Sequence, residues 1–389
     1  MKIKTLCVFG TRPEAIKMAP LVQQLSDNPV FESKVCVSGQ HMQMLNSVLD
    51  FFDIVPDFKL SVMTPNQNLS DLTSKILTGL YQVLEMFSPD VIFTHGDTTT
   101  CLAASLAAYY RRIPVAHVEA GLRTGDVYLP WPEEMNRKLT DAMTTFYFAP
   151  TQSARANLLK EGVIDTRIYV TGNTVIDALF HSLSRLEKEP LLVSALKNQF
   201  SFLNSSRRMI LVTGHRRESF GDGFERICLA LKQIATRLPD VDIVYPVHLN
   251  PNVQEPVYRL LATEKNIHLI PPVDYLPFIY LMRECYCILT DSGGVQEEAP
   301  SLGKPVLVMR DKTERPEAIN AGVVRLVGTE TKKIVKEVMA LFQDTALYNR
   351  MSLAQNPYGD GAASERIVSA IEKYFVLEKT SVIYESEVI

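Results

Sequence analysis

Six short stretches carry the residue types that proton transfer and phosphate binding need. Val8-Phe9-Gly10-Thr11-Arg12-Pro13-Glu14 sets an Arg between a Gly and a Pro. Pro suits the first turn of a helix, so Arg12 stands beside helix N-terminal amides, a natural phosphate or carboxylate site. A tight turn with a surface Arg accounts for this stretch equally well. Thr94-His95-Gly96-Asp97-Thr98-Thr99-Thr100 places Asp97 ahead of a helix. The threonines can cap that helix, so Asp97 is not required for the task. In Ala116-His117-Val118-Glu119-Ala120-Gly121-Leu122-Arg123, His117 and Glu119 are two apart on a strand and share a face. Burying Glu beside His without a use would be costly. Pro130-Trp131-Pro132 fixes the backbone ahead of a helix whose first turn holds Glu133 and Glu134, where the helix dipole alone would favour them. Together, Asp97, Glu119 and Glu133 supply three carboxylates from one half of the chain. Crowded carboxylates raise one another's pKa values, which suits acid–base work.

The later stretches speak of anions. In Gly214-His215-Arg216-Arg217-Glu218, a His followed by two Arg can neutralise a diphosphate leaving group, or simply make a charged turn. In Asp291-Ser292-Gly293-Gly294-Val295-Gln296-Glu297-Glu298, a strand ends and Ser-Gly-Gly lets backbone amides approach a phosphate. Glu298, one turn on, suits ribose hydroxyls. Arg310, Lys312 and Arg315 add cations nearby. The chain has no dinucleotide fingerprint or P-loop at its first strand end. Cys285-Tyr286-Cys287 has no second pair and the 7 histidines have no ligand spacing, so no metal is expected.

Positioning these stretches takes strands and helices in alternation. Thr5–Phe9, Ser33–Ser38, Val91–Thr94, Val115–Val118, Phe146–Ala149 and Arg167–Val170 read as strands, with helices over Pro13–Leu25, Leu69–Phe87 and Thr98–Tyr110. The rhythm restarts with strands at Met209–Thr213, Asp242–Pro246, His268–Ile270, Cys287–Thr290, Val306–Met309 and Val324–Leu326 and helices such as Gly223–Arg237 and Thr331–Phe342. This is α/β architecture: two doubly wound, Rossmann-like domains with parallel sheets, expected to face each other across a cleft. The expected division is 1–172 for the domain with the carboxylates and 173–362 for the second. A helix with charged residues, Ser182–Ala195, lies between them, and a terminal helix from Ala363 is expected to pack back on the first domain.

Composition bounds the rest. With 389 residues, the length fits two to three domains. Its 40 Lys+Arg against 44 Asp+Glu give a net charge of −4, so a nucleic-acid partner is not expected and any anion must be held by local cations. The six cysteines sit mostly in apolar runs and read as buried reduced thiols. The apolar run after the basic start is too short for a signal peptide, and no run reaches membrane-span length, so the expected compartment is the cytoplasm.

The motifs at Gly10–Glu14, His95–Thr98, His117–Arg123, Pro132–Glu134, Gly214–Glu218 and Asp291–Glu298 resemble those of the bacterial non-hydrolysing UDP-N-acetylglucosamine 2-epimerases. The similarity runs from residue 3 to about Ile371. It implies a GT-B-like fold, a homodimer, no cofactor, and interconversion of UDP-GlcNAc with UDP-ManNAc for cell-surface polysaccharide. The implied route eliminates UDP to give 2-acetamidoglucal and adds it back on the other face. By matching motif, Asp97, Glu119 and Glu133 resemble the acid–base carboxylates, and His215 the catalytic histidine on the phosphate side. Arg12, Lys17, Ser292, Gly293 and Gly294 resemble ligands of the substrate, mainly at the diphosphate. Glu298 resembles the ribose carboxylate and Arg315 a further substrate contact. The loop Pro272–Phe278 matches the base-binding segment, with backbone groups of Val273 and the ring of Phe278. Which carboxylate takes the C2 proton is left open. Some members bind a second UDP-GlcNAc as activator through Gln-His-Arg-Gln and a later Arg. Here Gln40-His41-Met42-Gln43 and Asn66 stand instead, which predicts weak or absent activation. The rival functions are a GT-B glycosyltransferase, a hydrolysing epimerase releasing free ManNAc, and a non-catalytic nucleotide-sugar sensor.

Overall fold

The computed structural model describes residues 2–39, 42–64, 67–313 and 315–386, without the side chains of 42–44 and 377–386. The chain divides into two units, Met1–Ala178 with Tyr358–Ile389, and Leu179–Pro357.

The first unit runs β1 (Ile3–Phe9), α1 (Arg12–Asp27), β2 (Phe31–Val37), α2 (Met42–Phe51), β3 (Phe58–Lys59), α3 (Leu69–Phe87), β4 (Val91–His95), α4 (Thr99–Tyr110), β5 (Val115–Val118), α5 (Glu133–Met143), β6 (Phe146–Ala149), α6 (Gln152–Lys160) and β7 (Ile168–Val170). Its strands form one parallel sheet in the order β3-β2-β1-β4-β5-β6-β7. β1 and β4 are buried almost throughout, as a parallel strand covered on both faces requires. α3 buries Leu72, Ile76, Leu80, Val83, Leu84 and Phe87, a helical stripe that packs with Ala103, Ala104 and Ala107 of α4 on one face of the sheet. α16 (Ala363–Ser386) belongs to the same unit and packs on α1.

The second unit runs β8 (Arg208–Thr213), α9 (Asp222–Arg237), β9 (Val241–Pro246), α10 (Pro251–Leu261), β10 (Ile267–Ile270), α11 (Tyr275–Glu284), β11 (Cys287–Thr290), α12 (Gly293–Glu298), β12 (Val306–Val308), α13 (Pro316–Asn320), β13 (Val324–Leu326), α14 (Thr331–Gln343) and α15 (Thr345–Ser352). Its sheet is also parallel, ordered β10-β9-β8-β11-β12-β13. Its core joins Ile210 and Val212 of β8, Phe224, Ile227 and Leu231 of α9, and Ile334 and Val338 of α14.

Both sheets repeat one winding, so each has a point where strand order reverses: between β1 and β4, and between β8 and β11. Ligands of doubly wound sheets gather at the carboxyl ends of the strands at such a point.

Three local expectations change. The single helix over Ser182–Ala195 is two, α7 (Thr174–Lys188) and α8 (Pro190–Gln199), because Pro190 lacks the amide needed to continue α7 and instead opens α8. The loop expected at Pro272–Phe278 turns helical at Tyr275, so Phe278 stands in the first turn of α11, its amide donating to the Asp274 carbonyl at 3.1 Å. Glu119 does not continue β5. Its φ is +70°, and its amide and that of Ala120 both donate to the Phe148 carbonyl at 3.1 Å. The two-residue alternation stops there, so Glu119 does not share a strand face with His117.

Candidate functional site

In the first unit, the turn after β1 and the turn after β4 are tied by Glu14. Thr11 and Glu14 form a capping box at the start of α1. Glu14 Oε2 accepts from the amides of Gly10 (3.0 Å) and Thr11 (2.8 Å), and its Oε1 accepts from the Thr98 hydroxyl at 2.6 Å. Burial nonetheless pushes its carboxyl above the usual range, outweighing those bonds. Thr98 in turn caps α4 by accepting from the Cys101 amide at 3.0 Å. Asp97 is thus left out of the capping, as the threonine run suggested. Arg12 opens α1, half-buried.

Lys17, a turn further along α1, is buried and forms an ion pair with Glu119. Glu119 Oε2 also accepts from Asn173 Nδ2 at 2.8 Å and lies 3.8 Å from His95 Nε2. Burial pulls the His95 pKa down to about 3, and the attraction of Glu119 does not restore it, so this imidazole is neutral. Asp97 forms an ion pair with Arg137, and its carbonyl accepts from Asn136 Nδ2 at 2.8 Å. Arg137 also donates to the fully buried Glu134 at 2.6 Å. Glu134 accepts from the amides of Thr124 (3.1 Å) and Gly125 (3.2 Å), so it braces a loop. Its neighbour Glu133 is half-buried, and its Oε2 is buried without a hydrogen-bond partner among the described residues.

In the second unit, Asp291 directly follows β11 and is fully buried. Its Oδ2 accepts from the amides of His215 (2.7 Å) and Arg216 (2.8 Å), and its Oδ1 lies 3.4 Å from His215 Nδ1. His215, half-exposed, stacks on His248 with centroids 5.3 Å apart. Ser292 precedes α12, and no side-chain hydrogen bond caps that helix. The Arg315 guanidinium covers Gly293 so closely that an added Cβ would stand 2.5 Å from its Nη1, and its Nε donates to Glu297 at 2.8 Å. Glu298 accepts from the Tyr275 hydroxyl at 2.8 Å, while its Oε2 lies beside Gly294. That bond joins α12 to the α11 segment of Val273 and Phe278, both half-buried. Arg310 donates to Glu218 at 2.7 Å.

Within the first unit the structure gathers Lys17, Glu119 and the turn of Asp97 around the β1/β4 reversal. Within the second it gathers His215, Ser292, Gly293, Gly294, Glu298 and Arg315 around β8/β11. Several partners escaped sequence reasoning: Asn173 on Glu119, Arg137 on Asp97, Tyr275 on Glu298 and His248 on His215. Asn173 alone carried a signal, since it follows β7 in Thr171-Gly172-Asn173-Thr174, another strand end running into a helix. Gln40, His41 and Asn66 of the activator comparison lie outside the described residues, as do the side chains of Met42 and Gln43. All six cysteines are free and buried, and burial pushes the thiols of Cys7, Cys36, Cys228 and Cys285 up to about 12. Among the described residues no group of three or more His, Cys, Asp or Glu could hold a metal ion, and no helix is long and apolar enough to cross a membrane.

Comparison with known proteins gives one consistent result. The family profile described as UDP-N-acetylglucosamine 2-epimerase matches residues 23–372. The UDP-N-acetylglucosamine 2-epimerase of Yersinia pestis is 60% identical over 374 residues, 96% of this chain and 100% of that one. The crystal structure of UDP-GlcNAc 2-epimerase from Neisseria meningitidis bound to UDP-GlcNAc is 50% identical with a TM-score of 0.91, covering 95% of this chain and 100% of that one. The enzyme of Methanocaldococcus jannaschii in complex with UDP-GlcNAc and UDP is 34% identical with a TM-score of 0.79, covering 95% of this chain and 100% of that one. Sequence, α/β GT-B-like fold and strand-end motifs agree: this chain belongs to the UDP-N-acetylglucosamine 2-epimerase family.

Proposed function

We propose that the protein interconverts UDP-GlcNAc and UDP-ManNAc without net hydrolysis, with UDP-ManNAc as a precursor for cell-surface polysaccharide. The observation that carries the reading is the set of three carboxylates in one unit, Asp97 and Glu119 just after β4 and β5 and Glu133 at the start of α5, in the unit that also holds Lys17 and Arg12. A carboxylate takes the C2 proton, the C1–O bond to UDP breaks, and the electron pair of the C–H bond becomes the C1=C2 bond of 2-acetamidoglucal. Re-addition runs the steps backwards: a UDP oxygen attacks C1 and a proton reaches C2 on the other face. Departure of UDP develops charge on the diphosphate. In the second unit, His215, the α12 amides at Gly293 and Gly294, and Arg315 are the groups suited to stabilise that charge. Glu298 serves the ribose, and Val273 and Phe278 serve the base. Relatives solved with UDP-GlcNAc and with UDP support these ligands.

A homodimer belongs to the same reading, supported by exposed Tyr81 and Met86 on α3 and Tyr109 and Tyr110 on α4. Cytoplasmic residence is supported by the six buried free thiols.

Incubation with UDP-GlcNAc alone in deuterated water, followed by NMR, tests the reading. UDP-ManNAc should appear, and deuterium should enter C2 of both sugars. Accumulation of free ManNAc would indicate a hydrolysing enzyme, a requirement for an acceptor would indicate a glycosyltransferase, and an unchanged substrate would leave only binding.

A further inference from the structure

Behind the carboxylates lies a buried polar cluster that the proposed chemistry does not use. His117 is fully buried on β5, where it pairs with Thr94 of β4. Its Nδ1 lies 2.6 Å from Asp141 Oδ1 on α5, and its Nε2 lies 2.8 Å from the Gly96 carbonyl. The second Asp141 oxygen accepts from Arg123 Nη2 at 2.7 Å and from the Gly121 amide at 3.3 Å. Arg123 continues to Glu161 at 2.6 Å, and the Tyr147 hydroxyl donates to the Asp141 carbonyl at 2.8 Å. A carbonyl oxygen can only accept, and so can a carboxylate held by a guanidinium. Both nitrogens of His117 therefore donate, which makes the ring an imidazolium. Burial works against that charge, but Asp141 outweighs it and holds the pKa well above the ordinary value. Burial would likewise raise Asp141, yet the charges of His117 and Arg123 hold it below the usual range. Cys101 and the neutral His95 are the other titratable groups that act on this ring.

The two ends of the cluster are what matter. Gly96 directly precedes Asp97, and Gly121 lies two residues after Glu119. One charge pair therefore grips both turns. We propose that His117, as a buried imidazolium, and Asp141 act as a positioning clamp that sets the backbone of the turns bearing Asp97 and Glu119. The clamp rests on the reading that those two carboxylates work on the sugar. A carboxylate misplaced by about 1 Å can lose about a hundredfold in rate while ground-state binding survives. The clamp thus acts on turnover and not on affinity for UDP.

Two measurements decide it. Nitrogen NMR of the whole protein labelled in its histidines should show, at a pH of about 8.5, one ring of the 7 with both nitrogens protonated, long after ordinary histidines have lost the second proton. A spectrum with every ring singly protonated would overturn the clamp, and this result is independent of which carboxylate does what. In Asp141→Asn the ring turns neutral: if Nδ1 keeps its proton for the new amide oxygen, the Nε2 lone pair faces the Gly96 carbonyl. The expected outcome is a fall in kcat of at least about tenfold, with KM and the Kd for UDP within about threefold of wild type. A kcat close to wild type, or equal losses in kcat and UDP binding, would overturn it. Arg123→Lys, which keeps a cation on Asp141 but loosens it, is the second variant, with a smaller drop in kcat and the same unchanged UDP binding. Failure of C2 deuteration in the wild type would remove the catalytic reading, while the doubly protonated ring would still stand.

Discussion

Two glycines of one loop allow a controlled test of how tightly the Glu119 turn is packed. Gly121 and Gly125 have nearly the same backbone, with φ of +86° and +84°. An added Cβ meets very different surroundings. At Gly121 it would stand 2.4 Å from the Ala154 carbonyl oxygen and 2.8 Å from Leu158 Cγ, and at Gly125 nothing lies within 4 Å. Both alanine variants carry the cost of a left-handed L-residue, about 1 kcal/mol. Only Gly121→Ala adds overpacking against the backbone of α6, which cannot swing aside as a side-chain tip can, for about 2 kcal/mol more. With a urea slope of about 2 kcal/mol/M for a unit of this size, the Gly121→Ala midpoint should lie about 1 M below that of Gly125→Ala. Urea titration followed by circular dichroism reads the difference directly. Coincident midpoints would refute the argument that α6 fixes this turn. Turnover should fall with the displacement as well, because the Gly121 amide would be pushed off Asp141.

The other predictions concern the braces. Burial raises the Glu14 carboxyl above its unfolded value of about 4.3, so its contribution is full below that pH and is lost as pH rises. Glu14→Gln should therefore gain stability relative to wild type between pH of about 4 and 7, and a Tm difference that stays flat across that range would count against it. Arg137→Met leaves Glu134 buried without its cation and should cost about 3 kcal/mol in urea unfolding, together with most of the turnover that needs Asp97. A loss below about 1 kcal/mol would show that the amides of Thr124 and Gly125 suffice. Gly293→Ala pushes on a side-chain guanidinium, that of Arg315, and not on backbone, so stability should change by less than about 1 kcal/mol while UDP affinity drops about tenfold by calorimetry. Unchanged UDP affinity would dissociate the start of α12 from the nucleotide.

The strands were readable because a buried parallel strand is a short apolar run mostly followed by Gly, Asp, Glu or Thr, and Cys287–Thr290 and Val115–Val118 match to the residue. β3, with two residues, offers no such run. The site was half-readable for a related reason. Asp97, His215 and Ser292 announce themselves by following strands. What holds the candidate carboxylates is not local: Lys17 reaches Glu119 across 102 positions, Asn173 across 54, and Arg137 reaches Asp97 across 40. No periodicity encodes such a pairing. The conformation of Glu119 was hidden too, since a left-handed backbone costs an L-residue about 1–2 kcal/mol and nothing in the type Glu suggests it.

The partners themselves distinguish the proposed acid–base carboxylates from a set of buried carboxylates that brace the chain. Glu14, Glu134, Asp141, Asp177 and Asp291 all accept from backbone amides: Gly10 and Thr11, Thr124 and Gly125, Gly121, Ala363 and Ser364, His215 and Arg216. An amide cannot leave without moving the chain, so these carboxylates are part of the architecture. Asp97 and Glu119 are held through Arg137, Lys17 and Asn173, whose side chains can turn toward an arriving ligand. Glu133 keeps an oxygen with no hydrogen-bond partner among the described residues. A group that must exchange a proton with a sugar has to be able to trade its partner for the substrate, and a group that aims it must not. By that criterion Asp97, Glu119 and Glu133 fit the proposed acid–base role, while Asp141 and Asp291 are fixed points that hold the turn after Glu119 and the backbone at His215.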